Sequence, residues 1–199
     1  MTENEIREVA DNENQPQPKE EKPKKTLKQE IISWVVTLAT AIVLALVIRT
    51  FIFEPIRVDG SSMADTLHNG EITFTFKTGY LFNDPQRQDV VICRYPNRKE
   101  YFVKRVMGIP GDTIAILGTT VYINGQPVEE PYLTAQRNRF DHTMLPITLG
   151  ENEYFVMGDN RDNSNDSRNL TRVGPITRDM IVGHVKCVLF PFDAIRGVE

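Results

Sequence analysis

Hydrophobic and polar positions change their period once along this chain. Ile31 to Ile48 reads IISWVVTLATAIVLALVI, without a charge, and roughly 18 apolar residues are about the minimum for a membrane-spanning helix. Beyond Pro55 the period shortens. Glu71 to Phe76 (EITFTF) alternates polar and apolar residues, as a half-buried strand does. DVVIC, YFVKRVMG, TIAIL, TVYI, YFVMG and IVGHVKCVLF are further strand candidates rich in Val, Ile and aromatics. Asn124-Gly125 predicts a hairpin turn, and Pro110-Gly111 and Gly118 mark other turns. No amphipathic stretch of helical length follows residue 55. The pattern predicts a mainly β chain, an antiparallel sheet domain behind one N-terminal transmembrane helix.

Domain boundaries follow from composition. Residues 1–30 are charged and Pro/Gln-rich, with few apolar positions, so they are expected to form a disordered tail. Residues 31–53 are expected to be the anchor and residues 54–199 the folded domain, long enough for a real core. A buried core helix or a cleaved signal peptide are the rival readings of the apolar run. It is long for a signal peptide, and no small-residue cleavage pattern follows it. Lys19, Lys22, Lys24, Lys25 and Lys28 precede the span, whereas only Arg49 and Arg57 closely follow it. The positive-inside rule puts the tail in the cytoplasm and the domain outside. Trp34, Phe51 and Phe53 stand near the ends of the span, where aromatic rings favour the lipid interface.

Charge and cysteine usage narrow the function. A net charge of −4 gives no reason to expect a nucleic-acid partner. Cys93 and Cys187 lie far apart, each in an apolar run, and two such cysteines make no disulfide framework. Both are expected to be small buried thiols.

Three segments carry chemistry: GSSMADTL (Gly60 to Leu67), YFVKRVMGIPGD (Tyr101 to Asp112) and GDNRDNSNDSR (Gly158 to Arg168). A serine that cuts peptides needs a base, and a lysine serves if burial keeps it neutral. Lys104 has Phe102, Val103 and Val106 around it. Taken singly, a serine near a turn is structural far more often than catalytic, and a lysine on a strand usually snorkels. The third segment has a rival reading as a calcium loop, with Asp162, Ser164 and Asp166 at the first, third and fifth positions. That fails because Ser167 stands where the loop needs glycine and Val173 where it needs glutamate. Two glycosylation sequons, at Asn165 and Asn169, are chance matches in a segment so rich in Asn and Ser.

In this order, with the anchor and a RQDVV box (Arg87 to Val91), these segments resemble bacterial type I signal peptidases of the short form found in Gram-positive bacteria. The resemblance runs from Ile31 to Gly183. It implies a nucleophile at Ser62, directly before Met63, and a general base at Lys104. It implies a hydrogen bond from Ser164 to that lysine and a salt bridge between Asp166 and Arg168. Asp159, Asn160 and Arg161 take structural roles, and Arg87 and Asp89 match an RGD-type box. The backbone N–H of Ser62 is the implied oxyanion donor, with Gly60 permitting close approach. Implied too are shallow pockets for small side chains, as in Ala-x-Ala, and no need of metal or cofactor. The implied partners are exported preproteins with their signal peptides, the lipid bilayer and a nearby secretion translocon. Two positions depart from the pattern. Asp65 stands where the SMxPTL-type box has proline, and Gln88 where the RGD-type box has glycine. They leave open a specialised peptidase with one client, such as a pilin. A non-enzymatic assembly factor of the same fold is a third class, which loss of the serine or lysine would signal.

Overall fold

The computed structural model describes residues 26–48, 53–77, 79–134 and 142–198. The chain divides into two units, with the boundary between Val43 and Leu44.

Helix α1 (Leu27–Val47) carries the apolar run. It begins four residues before Ile31 because Thr26 and Gln29 form a reciprocal cap. The Thr26 N–H donates to Gln29 Oε1 at 3.0 Å and the Gln29 N–H to Thr26 Oγ1 at 3.4 Å, which satisfies two donors that a helix start leaves orphaned. None of its residues is buried, and it is long and apolar enough to cross a membrane. The expected tail falls largely outside the described residues, as do Arg49 and Phe51.

The strands of the second unit all pair antiparallel. One sheet has the order β1 (Phe53–Arg57), β2 (Ile72–Phe76), β11 (Ile181–Phe190), β3 (Val90–Arg94), β4 (Tyr101–Gly108), β9 (Glu153–Met157) and β10 (Ile176–Thr177), with β12 (Arg196–Gly197) also on β11. A smaller sheet has the order β7 (Gln126–Pro127), β6 (Thr120–Ile123), β5 (Thr113–Leu117) and β8 (Met144–Thr148). The predicted Asn124-Gly125 hairpin joins β6 to β7, both residues at positive φ, 53° and 80°, as a type I′ turn requires. Beyond residue 55 the described residues hold one short α-helix, α2 (Gly79–Phe82), and a few 3₁₀ turns.

Strand β3 shows how the core is layered. Successive side chains point to opposite faces. Val91 and Cys93 enter one cluster with Tyr95, Val106 and Val156. Val90 and Ile92 enter another with Val58, Met63, Leu67 and Val185. A strand buried on both faces needs the unbroken apolar run DVVIC shows. A third cluster joins Met107, Phe155 and Met157 of the large sheet to Ile114, Val121 and Ile123 of the small one.

In β2 the alternation is real but its polarity is inverted. Thr73 and Thr75 are fully buried, while Ile72, Phe74 and Phe76 are half-buried. Space is the reason. Across the ladder Gly183 comes so close that an added Cβ would stand 2.8 Å from Thr75 Cγ2, and Thr73 Oγ1 satisfies itself on the Ile56 carbonyl at 3.1 Å.

Candidate active site

The serine-bearing segment is a tight turn rather than a strand. Ala64 N–H donates to Ser61 O, and the N–H groups of Thr66 and Leu67 donate to Met63 O. Met63 and Leu67 anchor the turn in the core, at 2% and 0% exposure. Gly60 enters it at φ +102° with its N–H on Asn69 Oδ1 at 2.9 Å. Nothing lies within 4 Å of the place its Cβ would take. Conformation, rather than the expected close approach, is what calls for glycine there.

The turn separates the two serines. Ser61 Oγ accepts from Asn163 Nδ2 at 2.9 Å. Ser62 Oγ faces Lys104 Nζ at 2.6 Å. Among the described residues none accepts the Ser62 N–H.

Lys104 sits mid-strand in β4, between β3 and β9, and is 2% exposed. Its other hydrogen bond goes to the Val103 carbonyl at 2.7 Å. Burial pushes its pKa below the ordinary lysine value, against the opposing pull of Cys93, Asp166 and Asp159 and with help from Arg168. Desolvation penalises the charged form, so this amine is biased toward the neutral state that can take a proton.

The GDNRDNSNDSR segment wraps this pair. Asp166 receives two hydrogen bonds from the Arg168 guanidinium, at 2.8 and 2.9 Å, and one from Gly158 N–H at 3.0 Å. Burial works to raise the Asp166 pKa, but these donors hold it below the usual value. The expected Ser164–Lys104 hydrogen bond is not formed. Ser164 Oγ is buried and helps to hold the Asp166 carboxyl below its usual value. It is turned toward Gly158, whose missing Cβ would lie 2.3 Å from it, and that placement leaves Nζ to Ser62 and Val103.

Asp159 and Asn160 were expected in structural roles, but the contacts they and their neighbours make escaped the reading of the sequence. A Cβ on Gly158 would also stand 2.4 Å from Ser62 O, so glycine alone lets the two segments close. Asn160 joins them by its N–H to Ser62 O at 3.0 Å and its Nδ2 to Ser61 O at 2.9 Å. Arg105, neighbour of Lys104 and so on the opposite face of β4, pairs with Asp159, whose Oδ2 accepts from Thr66 Oγ1 at 2.5 Å. Tyr95 donates to Asn165 O at 2.8 Å and stacks on Phe102. The sequence signals were the Lys-Arg dipeptide and the GDN start of the acidic box; the contacts themselves join residues far apart in the chain. The matching boxes do meet: Arg87 grips Asp112 with two hydrogen bonds, at 2.8 and 2.5 Å. Cys93 is buried and Cys187 half-buried, both as free thiols.

Residues 31–190 match the family described as signal peptidase, peptidase S26, and the chain belongs to it. It is 43% identical over 177 residues to signal peptidase I S of Bacillus subtilis, covering 85% of this chain and 94% of that one. It is 41% identical over 179 residues to the signal peptidase I of Bacillus licheniformis, covering 86% and 95%. A crystal structure of a signal peptidase I from Enterococcus faecalis is 31% identical, with a TM-score of 0.43, over 51% of this chain and 97% of that one. The chain is thus an enzyme of the signal peptidase I class, with an apolar N-terminal helix that fits a single-pass membrane anchor.

Proposed function

We propose that this enzyme removes signal peptides from exported preproteins by a Ser62/Lys104 dyad, cutting after small residues of the Ala-x-Ala type. The observation that carries the proposal is the 2.6 Å approach of Lys104 Nζ to Ser62 Oγ inside a site that disfavours the ammonium. Neutral Lys104 takes the hydroxyl proton as Oγ attacks the scissile carbonyl carbon. The oxyanion accepts from the unengaged Ser62 N–H, a preorganised donor of the kind that stabilises such charge. The lysine then gives its proton to the departing amine, which is the new N-terminus of the mature protein. The signal peptide remains as an ester on Ser62. Water, deprotonated by Lys104, attacks that ester; the bond to Ser62 Oγ breaks, Lys104 returns its proton to Oγ, and the signal peptide leaves as a carboxylic acid that ionises in water. Asp166 and Arg168 hold the turn that backs the dyad, and Ser164 supports it from beside Gly158.

The domain layout completes the proposal. Residues 1–30 are the cytoplasmic tail, residues 31–53 the anchor, and residues 54–199 the extracytoplasmic catalytic domain, as the lysines before the span direct. This places the dyad on the face of the bilayer where a preprotein emerges from a translocon.

The test is cleavage of a model preprotein by the detergent-solubilised chain, with sequencing of the new N-terminus. Ser62→Ala is expected to abolish cleavage and Ser61→Ala to keep most of it. An active Ser62→Ala beside a dead Ser61→Ala would overturn the assignment.

A further inference from the structure

Asp65 holds a backbone conformation that few side chains adopt. Its φ is +89°, and non-glycine residues at positive φ are uncommon, with Asp and Asn enriched among them. Proline is excluded, because its ring fixes φ near about −65°. The aspartate in place of the box's proline therefore belongs to a different local turn, three residues after Ser62. Sparsely populated backbone states persist where their surroundings over-determine them.

The surroundings here are a strap of chain, Glu130 to Thr134. At one end Thr134 Oγ1 donates to Asp65 Oδ2 at 2.7 Å. At the other, Glu130 forms a buried ion pair with Arg161, whose Nε donates to Gly158 O at 3.0 Å. Between them Tyr132 donates to Glu130 Oε1 at 2.8 Å and lays its ring 3.8 Å from Arg105 Cζ. The strap thus touches three groups that hold Ser62: the Gly158 turn, the Arg105–Asp159–Thr66 chain, and Asp65 itself.

We propose that this strap is a positioning device for the nucleophile, with Thr134 and Asp65 as its latch. The inference rests on Ser62 and Lys104 being the dyad. With the latch closed, the turn from Ser61 to Leu67 keeps its positive-φ kink and Ser62 Oγ stays at Lys104. With it open, Asp65 relaxes toward ordinary φ and the reacting atoms separate. Substrate still binds, but a smaller fraction of the enzyme is competent. The loss therefore falls on kcat and spares KM. Asp65 and Thr134 act through Ser62 and are positioning residues.

The experiment uses the full chain in detergent and one preprotein. Thr134→Val keeps the shape of the side chain and removes the donor. It is expected to lower kcat about twofold to tenfold, the range of one lost hydrogen bond, with KM unchanged, and Asp65→Ala to lose at least as much. The double variant should be no worse than Asp65→Ala alone, since Thr134 acts through Asp65. Asp65→Asn should recover most of the rate, because its amide oxygen still accepts and asparagine tolerates positive φ. Wild-type kcat in Thr134→Val and Asp65→Ala, or losses that multiply in the double variant, would overturn the inference. Ser62→Ala run alongside keeps the two ideas apart. An active Ser62→Ala sinks the dyad itself, while a dead one beside a fully active Thr134→Val sinks only the strap.

Discussion

Arg105 and Asp159 form a two-pronged ion pair from which solvent is excluded, with Nε to Oδ1 at 3.0 Å, Nη2 to Oδ2 at 2.8 Å, and side chains 0% and 1% exposed. Breaking such a pair leaves one charge buried and uncompensated, which costs about 3–5 kcal/mol. Asp159→Ala is therefore expected to lower stability by that order in urea unfolding, and activity with it, since Thr66 loses its acceptor in the turn that carries Ser62. A variant with wild-type stability would contradict the burial of the pair.

Gly158 offers a test by addition. In Gly158→Ala the new methyl meets Ser164 Oγ at 2.3 Å and the Ser62 carbonyl at 2.4 Å. The carbonyl is backbone and can yield only by moving Ser62. A displacement approaching 1 Å costs catalysis about 100-fold, so the assay should show a loss of that order in kcat.

Gln88 is expected to be a strained residue that glycine relieves. Its φ is +72°, while its N–H donates to Val106 O and its carbonyl accepts from Arg105. Gln88→Gly should raise stability by about 0.5–1 kcal/mol, part of the penalty a side chain meets at positive φ. Calorimetry reads it as a higher Tm, and a lower one would refute the strain.

Lys104 should leave a mark on stability as well as rate. Its folded pKa lies below the ordinary 10.5, so between those two values the unfolded chain binds more protons than the folded one. Stability then rises with pH across that window, at up to about 1.4 kcal/mol per pH unit, and levels off above 10.5 where the amine is neutral in both states. Lys104→Met should lack this rise. Equal pH dependence in the two proteins would show that the lysine is not perturbed.

What the sequence made legible was whatever depended on neighbours along the chain. The apolar runs of β3, β4 and β9 announce themselves because each strand is buried over most of its length, and that of β11 because it is unusually long. Strands β1 and β8 went unseen because each contains a proline, Pro55 and Pro146. Both are edge strands, where a missing donor is tolerated. The serine, lysine and acidic boxes were legible as motifs, but their joinery was not. The Glu130–Arg161 pair and the Thr134–Asp65 bond link positions 31 and 69 residues apart, and no local pattern encodes which distant partner a charge will find. The inverted polarity of β2 has the same origin, since Gly183 on another strand decides which face is cramped.

Lys104, whose pKa burial pushes down, is the proposed base for Ser62. The most direct measurement is the pH dependence of kcat/KM on a preprotein for the wild-type chain and for Lys104→Arg. The wild type should show a rising limb set by the lysine of the free enzyme, well below lysine's usual value of about 10.4. Lys104→Arg should show no turnover at any pH, because a guanidinium cannot give up its proton in a protein. Turnover retained in Lys104→Arg, on the same limb as wild type, would show that another group is the base.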